Sequence, residues 1–261
     1  MNIVVCLKQV PGTTEVKINP ETNTLIRQGI ENIINPFDCY ALEEGVRLKE
    51  KYGGKVTAVT MGPAQAANML KEAVALGADD AALICDRAFA GADTWATAFT
   101  LASAIKKLGE VDLIICGRQS TDGDTAQVGP EMAEMLGFPF VSYVGKIEDI
   151  SEKVMRLRRM IDEGYEIIET PLPAVITVTK EINVPRLPSL RGTLKAKKTE
   201  IPAWTAGDLD LNPDQVGLNG SFTRVITIFT PQRTKAAELI EGDPETQADC
   251  LIGKLKDAGL V

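Results

Sequence analysis

Apolar residues in this chain gather in short runs without polar alternation, and between those runs they recur every three or four positions. The runs at 2–7 (NIVVCL), 55–60 (KVTAVT), 81–85 and 113–115 read as strands buried on both faces. The intervening segments read as amphipathic helices. Ala41, Gly45 and Leu48 share the inner face of the first, and Ala67, Leu70 and Val74 that of the second, expected from about Ala64 to Leu76. Trp95, Ala98, Phe99, Ala102 and Ile105 align in a third, expected over 94–108. Asn35 is expected as the N-cap of the first helix, with Pro36 at its first position and Asp38 in its first turn. Gly53-Gly54 and Gly77 are expected stops. Strands alternating with helices predict an α/β fold, a doubly wound and mainly parallel sheet of order 3-2-1-4-5. A ligand then sits at the carboxyl ends of the strands, where the order reverses.

The stretch from Val111 to Gly137 organises the rest. Leu113, Ile114 and Ile115 form a buried strand, and Val128, Met132, Met135 and Leu136 lie on one helical face that Gly137 ends. The loop between them is Gly, Ser, Thr, Asp, Arg and Gln almost throughout. Helix-start amides lack partners within the helix and sit at the positive end of its dipole, so such a loop makes an anion cradle. It matches neither G-x-x-x-x-G-K-[ST] nor G-x-G-x-x-G. Asp122 and Asp124 suit capping or sugar hydroxyls, which leaves Arg118 and backbone amides to meet a negative group. The plain alternative is a polar connection with no ligand.

Elsewhere the rhythm differs. Val16–Ile18 and Thr24–Ile26 around NPETN predict a small hairpin. From about Val144, the segments 146–150, 153–160, 164–169 and 174–180 predict an antiparallel extension of the sheet, with Asp162-Glu163-Gly164 as a hairpin turn. Residues 182–198 lack apolar periodicity and read as an exposed basic loop. Residues 199–229 carry many turn signals and few packing residues, so they are expected to lie across something else. Short helices over 234–240 and 245–258 are expected to close the chain. The domains expected are 1–198 and a C-terminal arm, 199–261.

A length of 261 residues suits one large domain with an appendage or two modest ones. The net charge of −8 argues against nucleic acid and anionic membranes as partners. No segment is apolar and long enough to span a bilayer, and the chain enters its first strand without a signal peptide, so a cytoplasmic location is expected. The five cysteines contain no C-x-x-C pair, and Cys6, Cys85 and Cys116, near the ends of apolar runs, read as buried small hydrophobes. There is no histidine, which removes Ser-His-Asp and Cys-His chemistry and the commonest metal sites. Reactive chemistry is therefore expected from a bound cofactor or a partner.

GRQSTDGDTAQVGP, the NPFD helix start, AVTMGPAQA followed by ALGADDA, and LPAVITVTKEINVPRLPSLRGTLKAKK together resemble the beta subunit of electron-transfer flavoproteins, from Met1 to about Phe229. The resemblance implies an adenine-nucleotide site contacted by Cys6, by Asn35, Pro36, Phe37 and Asp38, and by Met61. It adds Gly117, Arg118, Gln119, Ser120, Thr121 and Asp122, then Gly123, Asp124, Thr125, Ala126, Gln127 and Val128. It also implies a heterodimer with an FAD-bearing alpha subunit, against which the C-terminal arm packs. A partner-recognition loop over 183–198 is implied, with Leu190 as apolar anchor and Arg191 and Lys195 beside it. GDTAQVGP is similar to the bifurcating subgroup. There FAD in the beta site takes a hydride from NADH, and the electrons divide between an acyl-CoA or hydroxy-acid dehydrogenase and a ferredoxin or flavodoxin. Arg118 is then expected to tune the flavin, Gly123 to leave room for the nucleotide, and the chain to act as an oxidoreductase only within the complex. The alternatives are a non-bifurcating subunit holding structural AMP and relaying electrons from acyl-CoA dehydrogenases, and a non-redox nucleotide-binding sensor.

Overall fold

A period of two along each central strand divides its side chains between two cores. Ile3 and Val5 of β1 (Asn2–Cys6) face one, and Val4 and Cys6 face the other. In the computed structural model, residues 1–12, 32–151, 153–227 and 238–261 are described, together with the backbone of 18–19 and 24–25. Two compact units result, Met1–Ile226 and Thr227–Val261. The first therefore runs past Lys198, where the sequence suggested its end.

Within that unit β1 is followed by the short strands β2 (Gln9–Pro11), β3 (Ile18–Asn19), β4 (Thr24–Leu25) and β5 (Asn32–Ile34). β3 and β4 pair antiparallel, as the expected hairpin requires, while the rest of that hairpin lies outside the described residues. Then come α1 (Pro36–Tyr52), β6 (Lys55–Met61), α2 (Ala67–Leu76), β7 (Asp80–Ile84), α3 (Thr94–Leu108), β8 (Leu113–Gly117) and α4 (Val128–Leu136). The chain continues through β9 (Phe140–Ser151), β10 (Val154–Ile161), β11 (Gly164–Pro171), β12 (Ala174–Val178), α5 (Leu190–Lys198) and β13 (Ala203–Trp204). The nine-stranded sheet has the order β11-β10-β9-β12-β8-β1-β6-β7-β13. Its centre is parallel, with β1 between β6 and β8. This is the expected 3-2-1-4-5 order with β12 as the fifth strand, and the reversal falls between β1 and β8. α1 and α2 cover one face, and α3 and α4 the other.

Three expectations change. First, β12 is a parallel member of the core, paired with β8 and with the start of β9, and only β9, β10 and β11 form the antiparallel extension. All five β12 residues are buried, which a half-exposed extension strand would not show. Second, 199–226 packs on its own domain. β13 pairs with β7 at the sheet edge, and Ala206 and Val216 are buried in the α3–α4 core. Third, Leu190–Lys198 is a helix, capped by the Ser189 hydroxyl, which accepts from Gly192 N at 2.9 Å. Its contact face is made of small residues. A Cβ on Gly192 would lie 2.2 Å from the Ala75 carbonyl oxygen at the end of α2, and Ala196 is buried. Lys195 Nζ donates to the carbonyls of Ala78 and Asp79. A search for large apolar residues cannot see such a face.

Ahead of α5, Arg186 pins the chain to α1. Its Nε donates to Glu43 at 2.8 Å, and its two terminal nitrogens donate to Glu50 at 2.6 and 2.9 Å. Asn183 Nδ2 donates to the Tyr40 carbonyl and to Glu44. Val184, Leu187 and Leu190 remain about four-fifths exposed around this clamp.

In the second unit α6 (Pro244–Asp257) is capped by Asp243, whose carboxylate accepts from Thr246 N at 2.9 Å. Most of the helix expected over 234–240 lies outside the described residues. No helix among the described residues is long and apolar enough to cross a membrane.

Ile115 is fully buried at the centre of the sheet. Ile115→Ala is expected to cost about 2–5 kcal/mol, read as a lower denaturation midpoint, while Tyr165→Ala on the exposed edge strand β11 should change it little.

Candidate functional site

The carboxyl ends of β1, β6 and β8 meet the starts of α1, α2 and α4 along one rim, and hydrogen bonds join three of these pieces into a network. Past β1, the Lys8 amide donates to Asp38 Oδ2 at 2.7 Å, and its carbonyl accepts from Asn35 N at 2.9 Å. Asn35 stands at the N-cap position of α1, yet its side chain makes no cap bond. Instead Nδ2 donates to Asp38 Oδ1 at 2.9 Å and to the Gln119 carbonyl at 2.8 Å, and Oδ1 accepts from Thr121 N at 3.1 Å. The capping residue is thereby turned into a tie between α1 and the loop after β8.

Gly117 makes this approach possible. A Cβ there would fall 2.3 Å from Asp38 Oδ1 and 2.6 Å from the Phe37 carbonyl carbon, so no other residue fits. Burial pushes the Asp38 carboxyl up to about 7, against the hydrogen bonds from Asn35, Lys8 and Gly117 that favour its charged form.

Between Gly117 and Val128 the loop folds on itself. Asp124 N donates to the Ser120 carbonyl, and Asp124 and Ala126 hold left-handed backbone at φ 53° and 56°. Gln119 Nε2 bonds Asp124 Oδ1. Lys8 Nζ pairs with Asp122 Oδ1 at 2.7 Å and donates to Ser120 Oγ at 3.2 Å. Partial burial works to raise the Asp122 carboxyl, but Lys8 and Ser120 hold it below the usual carboxylate range. Neither aspartate caps α4, which has no side-chain cap bond. Asp122 is instead charge-balanced by Lys8, a residue the sequence reading passed over. Its one sequence signal was a cation just beyond a buried strand at the reversal point.

Arg118 donates its backbone N–H to the Val178 carbonyl at 3.0 Å and its Nε to Gln119 Oε1 at 2.7 Å. The rings of Phe37 and Tyr143 both lie near its guanidinium. Cys6 and Cys116 are register partners, both buried. Hydrogen bonding to Cys6, then burial, pushes the Cys116 thiol well above its ordinary value, so it stays protonated and unreactive. Met61 ends β6, the strand beside β1. Thr125, Gln127 and Val128 lead from the loop into α4. Leu190, Arg191 and Lys195 are elsewhere, on α5 against the C-terminal end of α2.

The helix starts left uncapped fit an anionic nucleotide. α3, α5 and α6 are capped by the side chains of Asp93, Ser189 and Asp243. α1, α2 and α4, which start around the reversal point, have no side-chain cap. At α1 Pro36 has no N–H and the amides of Asp38 and Cys39 donate to the Asn35 carbonyl, and at α2 the Ala67 amide donates to the turn before it, so it is the dipoles at these three starts that favour a phosphate. The Thr60 hydroxyl, near the end of β6, is buried with no partner among the described residues. No group of His, Cys, Asp and Glu among the described residues is placed to hold a metal.

A family model described as the electron transfer flavoprotein domain matches residues 22–209. The chain is 49% identical, over the whole of both chains, to the electron transfer flavoprotein subunit beta of Thermoanaerobacterium thermosaccharolyticum. It is 47% identical, again over the whole of both, to the caffeyl-CoA reductase-Etf complex subunit CarD of Acetobacterium woodii. Protein FixA of Azotobacter vinelandii is 44% identical over 98% of this chain and 94% of its own.

With its folded value raised above the ordinary 3.8, Asp38 favours the folded state most below that value, and the contribution is lost as pH rises through about 7. Asp38→Asn, which keeps the neutral form, should therefore gain in melting temperature relative to the natural protein between pH 5 and pH 8. A constant difference across that range would contradict the assignment.

Proposed function

Since the chain belongs to the electron transfer flavoprotein family as one of its beta subunits, we propose that its crevice binds FAD and serves flavin-based electron bifurcation in a complex with an alpha subunit. The observation that carries the nucleotide reading is the convergence of three uncapped helix starts and the Gly117–Val128 loop on the strand-order reversal. The motif GDTAQVGP, similar to that of the bifurcating subgroup, favours FAD over structural AMP. When bound, FAD supplies hydride acceptance from NADH and onward transfer of single electrons to a dehydrogenase and to a ferredoxin or flavodoxin.

The chain's own part is binding and charge placement. The dipoles at the starts of α1 and α4 favour phosphate oxygens. Lys8 neutralises Asp122, so that an acidic loop does not repel an anionic ligand, and Arg118 carries positive charge at the crevice. With no histidine, and with the Cys116 thiol buried and pushed well above its ordinary value, the polypeptide offers no evident nucleophile of its own there. The exposed apolar group Val184, Leu187 and Leu190, held by Arg186, is the surface we assign to the dehydrogenase, with Arg191 beside it. The name of CarD, a subunit of a complex with caffeyl-CoA reductase, favours an acyl-CoA-type partner for this surface. Because 199–226 packs on its own domain, the segment we assign to the alpha subunit begins after Ile226, and the location we assign is the cytoplasm. Family membership leaves the sensor reading without support.

The complex purified with its alpha subunit should hold a flavin in each subunit, and its visible band should bleach with NADH. AMP in the beta site with no bleaching would leave the family assignment and remove the bifurcating one. Leu190→Ala should slow transfer to the dehydrogenase by about tenfold while leaving bleaching by NADH unchanged. Loss of flavin in that variant would place Leu190 in the wrong role.

A further inference from the structure

Tyr143 is out of place in its strand. It sits within β9 at φ 56°, a backbone region that bulky L residues rarely enter. There the register between β9 and β12 shifts, and the Tyr143 amide donates to the Thr177 side-chain oxygen at 3.2 Å. A strained residue in a strand persists only where its surroundings demand it, and such residues gather at functional sites.

What the kink achieves is visible at its ring. The Tyr143 ring centroid lies 5.4 Å from the Arg118 guanidinium carbon, and the Phe37 centroid lies 5.2 Å from the same carbon. Both distances are those of cation–π contacts. Among the described residues Arg118 makes no salt bridge, and its Nε is held by the neutral Gln119 amide. A guanidinium gripped by two rings and an amide keeps its full charge while losing its freedom to move. Phe37 comes from the start of α1 and Arg118 from the loop after β8, so the rings fix the cation where those elements border the crevice.

We propose that Tyr143 is a positioning residue, its strained place in β9 holding the Arg118 guanidinium together with Phe37 so that its charge faces the anionic part of the bound nucleotide. This rests on the nucleotide reading above and adds a residue from a different part of the sheet to it. Tyr143 acts through Arg118 and needs no contact with the ligand itself. The ring is what matters, so phenylalanine serves in its place, and an aliphatic side chain does not.

The test is calorimetric titration of FAD, and separately of AMP, into the nucleotide-stripped complex of this chain with its alpha subunit, alongside melting of each variant. Tyr143→Leu should weaken binding roughly three- to tenfold, and Tyr143→Phe should stay within about twofold of the natural protein. Tyr143→Gly relieves the left-handed strain, so it should melt no lower than Tyr143→Leu yet bind as weakly. Arg118→Ala combined with Tyr143→Leu should bind no more weakly than Arg118→Ala alone, because the second change removes only what acts through the first. Natural affinity in Tyr143→Leu and Tyr143→Gly, or additive losses in the double variant, would overturn the role of Tyr143 and leave the nucleotide site standing. Failure of the natural complex to bind either nucleotide would remove the site, and this role with it.

Discussion

The crevice depends on how closely the start of α1 approaches the end of β8. Gly117 permits that approach, because any side chain there would overlap Asp38 and the Phe37 carbonyl. Once the two backbones are that near, Asp38 is enclosed and must be answered by donors, which Lys8 N and Asn35 Nδ2 supply. Asn35 then has its remaining bonds drawn toward Gln119 and Thr121, and α1 is left without a side-chain cap. A fully connected buried polar network rigidifies what it joins. Here it joins a strand end, a helix start and a loop, with Asp38 in the first turn of α1 held by Lys8 and Asn35.

That arrangement separates binding from chemistry. The groups facing the crevice are amides, two cations and aromatic rings, while the nearest thiols, Cys6 and Cys116, are buried. Two aspartates in a loop proposed to meet an anion look like a contradiction in the bare sequence. The Lys8–Asp122 pair and the Gln119–Asp124 bond resolve it, since each carboxylate already has a partner within the loop's own surroundings. A site built this way suits a ligand that brings its own reactive group.

The stretch 183–198 shows the same economy at another surface. Arg186 binds two glutamates of α1 with a planar fork of donors, and Lys195 and Gly192 seat α5 on the end of α2. The basic character of the segment is thus partly spent inside the domain. Its apolar members Val184, Leu187 and Leu190 stay exposed, which is what supports the partner surface proposed above.

The sequence by itself determined the alternation of buried strands and helices, the order of the central sheet and the polar loop that follows β8 at the reversal of that order. Those features are local: a run of Leu-Ile-Ile buries both faces wherever it lies, and right-handed crossovers leave few ways to order the strands. Only the tertiary structure decided the roles that need two distant segments at once. Asn35 reads as a cap until the loop after β8 arrives to claim its amide, Lys8 is only a cation beyond a buried strand until Asp122 is brought beside it, and Tyr143 carries no signal until it meets Arg118. β12 reads like its antiparallel neighbours until it is seen in the core, and α5 reads as a loop because its own packing face is made of the small residues Gly192 and Ala196. Contacts between segments far apart in the chain leave no periodicity along it, so they became legible only once the chain had folded.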